Sequence, residues 1–428
     1  MPGQTPRRFL VLLGLVCLAG YVFVYATGRA TQPIRSDGFS YYVYLPSWWL
    51  FHDGTLASVA ADCCGGTYPD FTAIIRWPGT DRWVNAHPIG VALMQAPLFL
   101  IADALSWWTN LSRDGFTLYY QHAVGLSGLM WTLAGLWVLA AMLVRHFSRR
   151  VTMSTLAALL FGTNLYHYAT YDSFYSHAYS FFLVAALINL TERWHEAPTR
   201  ARTLLLGLVA GLIVIVRHTN VLVLALLPLF VVAVDGPRAA LRLVSARVRS
   251  CVLIAGGALL VVLPQLALYT QATGRPLVSS YGSLGFTFGS PHLYGVLISV
   301  QKGVFFWSPL LLLGVAGLFL LRGQLRAFVI PTCLVLIADT YLIASWWDWQ
   351  FGASYGHRGF IDLFPLLALG LAAFFEWSAA SRVRLVSTAI AVSAMTALSI
   401  FQMLQYWNAI MPGSDLTWSA YKALFLKI

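Results

Sequence analysis

Long apolar runs broken by short basic or aromatic segments set the pattern of this chain. Residues 9–27 carry no charged side chain, and a helix needs about 20 apolar residues to cross a bilayer. Comparable runs recur near 118–144, 151–168, 176–191, 202–216, 219–234, 250–270, 303–321, 327–345, 360–376 and 384–405, which with the first predicts about eleven spans. The pair 202–216 and 219–234 is short. Gly207, Gly211 and then Arg217-His218-Thr219-Asn220 interrupt it, which predicts tilted or broken helices sheltered inside a bundle. A β-barrel would instead alternate over short segments. The pattern predicts an all-α polytopic membrane protein with one domain over 1–428 and no internal repeat or soluble domain.

Composition agrees. Of 428 residues, 59% are hydrophobic and 10% charged, against about 25% charged in soluble domains. Pro6-Arg7-Arg8 resembles the basic start of a signal peptide. The apolar run that follows is too long for one and ends in no small-x-small cleavage site, so an uncleaved first span is expected. The net charge of +11 follows from arginines at helix ends rather than from a nucleic-acid surface, since no basic, aromatic-interleaved soluble patch exists. Attraction to anionic lipid head groups is a secondary consequence.

The arginines also orient the chain. With a cytoplasmic N-terminus, Arg7, Arg8, Arg145, Arg149, Arg150, Arg193, Arg200, Arg202, Arg238, Arg242, Arg247, Arg249, Arg322, Arg326, Arg382 and Arg384 all fall on the cytoplasmic side. This holds only if residues 87–110 stay outside, as juxtamembrane, interfacial or re-entrant helices with Trp107-Trp108 in an aromatic belt. The outer face then collects the first loop 28–117, segments 169–175, 271–302 and 346–359, and a short tail 406–428 expected to form a surface helix.

Candidate chemistry lies on that outer face. Asp37, beside Arg35 and an aromatic run, suits a general base; the same Ser36-Asp37 pair is also a favoured helix N-cap. Asp172 and His177 open a span, where ionisable groups are functional candidates; capping is the alternative. Arg82, His87 and Lys302 can clamp phosphate oxygens, or snorkel to lipid phosphates. Asp348, His357 and Arg358 lie in a Trp- and Gly-rich segment suited to sugar faces and hydrogen bonding, or to an interfacial aromatic belt. Cys63-Cys64 adjoins Asp62. A vicinal disulfide or a metal site is conceivable there, but adjacent cysteines rarely bridge and no C-x-x-C or His lies nearby. Cys17, Cys251 and Cys333 read as small core residues. No P-loop, GxGxxG, HExxH or GxSxG motif occurs.

Several of these segments resemble the polytopic C-type (GT-C) glycosyltransferases, which use lipid-phosphate-linked sugars and include protein O-mannosyltransferases, aminoarabinose transferases and Rgt-like bacterial members. The resemblance rests on Ser36-Asp37-Gly38 after the first span, Asn85-Ala86-His87-Pro88-Ile89-Gly90, Arg145 to Arg150, Tyr171-Asp172 to Phe182, Gln301-Lys302-Gly303 to Pro309, and Tyr355-Gly356-His357-Arg358. It implies a hexosyl- or pentosyltransferase that moves a sugar from a polyprenyl-phosphate donor to a lipid, glycan or protein acceptor, with inversion. Asp37 would be the base and Asp172 a second catalytic acidic residue. Arg82, His87, His177, Lys302, Asp348, His357 and Arg358 would hold donor phosphate and sugar. No cofactor is required, and a divalent metal is compatible with the chemistry. The expected location is a bacterial inner (cytoplasmic) membrane, with the site facing the periplasm or exterior. The chain departs from family patterns at Asp37-Gly38, where members carry Asp-Glu, and at His87-Pro88-Ile89, where aminoarabinose enzymes carry Lys-Pro-Pro. A transporter or flippase, built on Arg217-His218 as a midplane site, is one alternative reading. A non-catalytic binder of a lipid-linked glycan is another, and a glycan-joining polymerase or ligase a third.

Overall fold

The computed structural model describes residues 5–62, 73–279, 281 and 284–427. Cys63-Cys64 lies outside the described residues. The chain is mainly helical. It runs through α1 (Arg7–Ala26), the short α2 (Asp37–Tyr42), α3 (Tyr44–Trp49) and α4 (Ala57–Asp62), a hairpin of β1 (Ile74–Arg76) and β2 (Trp83–Asn85), and α5 (Gly90–Trp108). The centre comprises α6 (Leu118–His146), α7 (Arg149–Phe161), α8 (Leu165–Thr170), α9 (Ser176–Glu196), α10 (Arg200–Val216), α11 (Leu226–Asp235), α12 (Pro237–Ala246) and α13 (Val248–Thr273). The last part contains α14 (Leu293–Leu297), α15 (Val304–Trp307), α16 (Leu311–Leu318), α17 (Val329–Ser345), α18 (Phe364–Ala379), α19 (Arg382–Trp407) and α20 (Trp418–Leu424). The two strands pair antiparallel with Ile75 opposite Val84, so the hairpin delivers the chain to His87.

Among the described residues, eight helices are long and apolar enough to cross a membrane: α1, α5, α6, His218–Asp235, α13, Gly323–Ser345, Arg358–Ala379 and α19. Four expected spans fall short for local reasons. The run 151–168 breaks between α7 and α8, and the run 303–321 breaks at Ser308-Pro309. The end of α9 carries Glu192, Arg193 and Glu196, and α10 has 17 residues. Gly207 and Gly211 do not interrupt α10. They face α13, where a Cβ would meet the carbonyls of Ile254 and Ala258, so they bring two helices together as small residues do in membranes.

Residues 90–108 form one continuous helix rather than several interfacial pieces, and it passes through Pro97. Phe99 meets Tyr120, and the Trp131 indole donates to the Met94 carbonyl at 3.0 Å. Thus α5 lies antiparallel along the first half of α6 and does not follow it to Arg145. α18 is almost wholly enclosed, whereas α1, α13 and α19 present bare apolar side chains such as Leu15, Leu260 and Ile390, as lipid-facing helices do.

Polar groups divide between the two ends of the bundle. At one end Arg145 and His146 meet the buried Glu192, His195 pairs with Asp235 at 2.9 Å, and Arg202 donates to the carbonyls of Arg193 and Ala197. At the other end gather residues 27–56, 171–175, 346–357 and 408–417. The tail does form the surface helix α20, and the Gln405 amide donates to the carbonyls of Leu424, Phe425 and Lys427.

Candidate functional site

At that second end the bundle encloses a cavity of about 460 Å³, within the range of ~300–1,000 Å³ usual for small-molecule sites. Asp37, His87, His177, Asp348 and Arg358 all line it, contributed by α2, the segment after β2, α9, the loop after α17 and the turn before α18. Aromatic rings of Tyr41, Tyr175, Tyr281, Trp346 and Trp347 complete much of the wall.

The turn into α2 explains how Asp37 reaches the cavity. Ser36 holds φ 49°, a left-handed conformation that L residues adopt at a cost and that clusters at functional sites. Gly38 then passes so near Phe174 that a Cβ would lie 2.4 Å from its ring. The Ser36 side chain makes no cap bond, and Asp37 is turned inward to a cation instead. Arg358 Nη2 donates to Asp37 Oδ2 at 2.9 Å, and the guanidinium lies 3.9 Å over the Tyr175 ring. Arg35, the cation expected beside Asp37, goes elsewhere.

Burial raises the Asp37 carboxyl. The Arg358 charge and hydrogen bond and the nearby His87 outweigh that effect and hold it below the usual carboxylate range. His87 packs at a tilt against Tyr41, with centroids 4.3 Å apart, and burial pushes its imidazole down to about 4, so it is neutral at pH 7. Burial raises Asp348 above its ordinary value, and no cation pairs with it among the described residues. Arg358 has further donors to spare: its Nε and Nη1 are buried without a partner, as are His87 Nδ1 and the Thr219 hydroxyl of the same cavity. Buried donors left open cost about 1–3 kcal/mol each. Open donors converging on one cavity mark it as a place for an oxygen-rich, anionic ligand.

Behind one wall lies a carboxylate-centred network. His177 Nδ1 lies 2.8 Å from Asp362 Oδ1, while Arg217 Nη1 and Asn220 Nδ2 donate to Asp362 Oδ2 at 3.0 and 2.9 Å. Asn220 also donates to the Ser180 hydroxyl. The break between α10 and the turn His218–Ala225 makes this reach available, because Arg217 leaves the helix in extended conformation.

The other expected residues stand apart from the cavity. Asp172 accepts from Arg35 Nη2 at 2.7 Å and bonds His167 Nε2 at 2.9 Å, so both carboxylate oxygens are engaged. The Trp407 indole donates to His167 Nδ1, which fixes His167 Nε2 as the donor to Asp172. Burial would raise Asp172; His167 and Arg35 reverse this and hold it at about 2. Lys302 is fully buried, and its ammonium donates to the Ser354 carbonyl and hydroxyl and to the Gly413 carbonyl at 2.6–2.7 Å. It joins the loop before α18 to the C-terminal tail. Arg82 donates to the Gln271 carbonyl and borders a second, smaller cavity against the end of α13. His357 bonds the Trp349 carbonyl at 2.9 Å and supports the loop from behind.

Sequence reasoning missed Asp362, Asn220, Tyr41 and Tyr175, and gave Arg217 only to a transport site. Asp362 sits in the apolar run of a span, Arg358–Ala379. An ionisable residue at that depth was the signal available for it. No group of three or more metal-ligating side chains occurs among the described residues. No protein-family model, curated protein or solved structure matches the chain.

Proposed function

We propose that the protein is a membrane glycosyltransferase of GT-C type, moving a sugar from a polyprenyl-phosphate donor to an acceptor at the Asp37 end of the bundle. The observation that carries the reading is the Asp37–Arg358 pair on the cavity wall, with two Arg358 N–H groups buried and open. In this reading those two groups, with His87 and Thr219, bind the donor phosphate and stabilise the charge that grows on it as it leaves. The free oxygen of Asp37 takes the hydrogen bond of the acceptor and draws its proton. Attack on the anomeric carbon opposite the phosphate inverts that centre. The tyrosine and tryptophan rings of the wall suit the C–H faces of a sugar.

We propose eleven crossings, because the broken pairs α7–α8 and α15–α16, together with α9 and α10, carry the chain alternately between the two ends. α5 then stays on the Asp37 side beside the first half of α6. The arginine-rich end faces the cytoplasm, and the site faces the periplasm or exterior. A transporter would need a path to the far end, where Arg145 and His146 close on Glu192. The test is transfer of labelled sugar from purified polyprenyl-phosphate sugars in nanodiscs. Transfer by the wild type that collapses in Asp37→Asn supports the reading. Tight lipid-glycan binding or uptake with no transfer from any donor overturns it.

A further inference from the structure

The Asp362 network prepares His177 for more than ligand contact. Asp362 accepts from Arg217 and Asn220 on one oxygen, which is the behaviour of an ionised carboxylate, so the bond on its other oxygen is donated by His177 Nδ1–H. That leaves the lone pair on His177 Nε2, which has no hydrogen-bond partner among the described residues, on a side chain that lines the cavity. A carboxylate that fixes the tautomer of a histidine and leaves its other nitrogen open to the substrate is the arrangement of a base with its orienting group. Asp37, by contrast, is tied to Arg358 and is a weak final home for a proton.

We infer that His177 is a catalytic proton acceptor for the proposed transfer, with Asp362 as its positioning residue. The inference rests on the glycosyl-transfer reading. The acceptor O–H bond breaks as its oxygen bonds the anomeric carbon, and the bond from that carbon to the phosphate oxygen breaks with its electron pair leaving on phosphate. The proton passes by way of Asp37 to His177 Nε2, and the imidazolium is balanced by Asp362. It returns to the departing phosphate monoester, so the site is reset without outside reagents.

The groups facing His177 come from several elements. Asp362 and Arg358 come from the turn before α18, Arg217 from the end of α10 and Asp37 from α2. His357 comes from the loop after α17, Tyr168 from α8 and Tyr175 from the loop before α9; Asp339 of α17 faces Arg217 and Asp362.

The experiment measures kcat and donor KM of transfer for the wild type, His177→Gln and Asp362→Asn in nanodiscs, with thermal unfolding followed on the same samples. His177→Gln should lower kcat by ~10²–10³-fold, with donor KM and unfolding temperature nearly unchanged. Asp362→Asn should lower kcat less, again with donor KM nearly unchanged. If His177→Gln keeps kcat within about tenfold of the wild type, changes only donor KM, or loses kcat in step with stability, His177 is a binding or structural residue and the inference falls while the transfer reading stands. If the wild type transfers no sugar from any donor, both fall.

Discussion

Replacing Asp37 by Asn separates chemistry from architecture, because the pair it breaks is partly open to the cavity. The Asp37 side chain is 22% exposed and that of Arg358 is 9% exposed. Asn keeps the volume and an acceptor oxygen, and Arg358 keeps its place over Tyr175. The stability lost is that of one charge-assisted hydrogen bond, about 1.5–3 kcal/mol, well short of what removing an enclosed partner would cost. The chemical effect is larger. A general base contributes ~10²–10⁴-fold, equivalent to about 3–5.5 kcal/mol of barrier. Donor binding moves the other way. With the carboxylate charge gone, the Arg358 charge is no longer neutralised and attracts phosphate more strongly, so donor KM should hold or fall while kcat falls at least 100-fold. The assay is transfer of labelled sugar in nanodiscs under saturating and limiting donor, with thermal unfolding followed on the same samples. A variant that keeps more than a tenth of wild-type kcat refutes the role given to Asp37. So does one whose donor KM rises in step with lost stability.

Three further outcomes follow from the geometry. Lys302→Met should lower the unfolding temperature through about 2–4 kcal/mol of orphaned carbonyls, without selectively weakening donor binding, because Lys302 faces Ser354 and Gly413; a pure donor-KM defect would contradict this. Gly38→Ala should cost about 1–3 kcal/mol and lower activity by pressing on Phe174, and Phe174→Leu in the same chain should recover part of both; no recovery would dissociate the two residues. Asp172 is depressed in the fold to about 2 from 3.8, so its stabilisation is complete above pH 4 and disappears as pH falls through 2. Asp172→Asn should therefore be less stable than wild type by ~2 kcal/mol at pH 7, with the gap closing in acid; a gap that widens in acid would contradict the pairing.

The membrane class was legible because it follows from local composition. Seven of the expected runs appear among the helices long enough to cross, and the remaining four are shortened or interrupted at breaks or charges visible in the sequence, such as Ser308-Pro309 and Glu192-Arg193. The difference at residues 90–108 is of another kind. The arginine pattern predicts juxtamembrane, interfacial or re-entrant helices there, whereas the chain forms one helix that runs through Pro97 and packs on α6.

The lining of the cavity was legible residue by residue and illegible as a set of pairings. Asp37, His87, His177, Asp348 and Arg358 could be chosen because each is polar beside an apolar run, and one cavity gathers all five. Which cation serves which carboxylate could not be read that way. Arg35 stands two residues from Asp37 and pairs with Asp172, whereas Arg358 stands 321 residues away and pairs with Asp37. Sequence proximity misleads here for a physical reason. The left-handed turn at Ser36 points neighbouring side chains to opposite sides of the α2 entrance, so Arg35 packs over Tyr171 and Phe174 while Asp37 enters the cavity. Lys302, expected to hold donor phosphate, turns to the Ser354 and Gly413 oxygens instead, and Arg217 turns to Asp362. A buried lysine spends its hydrogen bonds on the nearest oxygens, and an arginine released from a helix end reaches the carboxylate that bonds His177, pairings set by the fold and not by sequence distance.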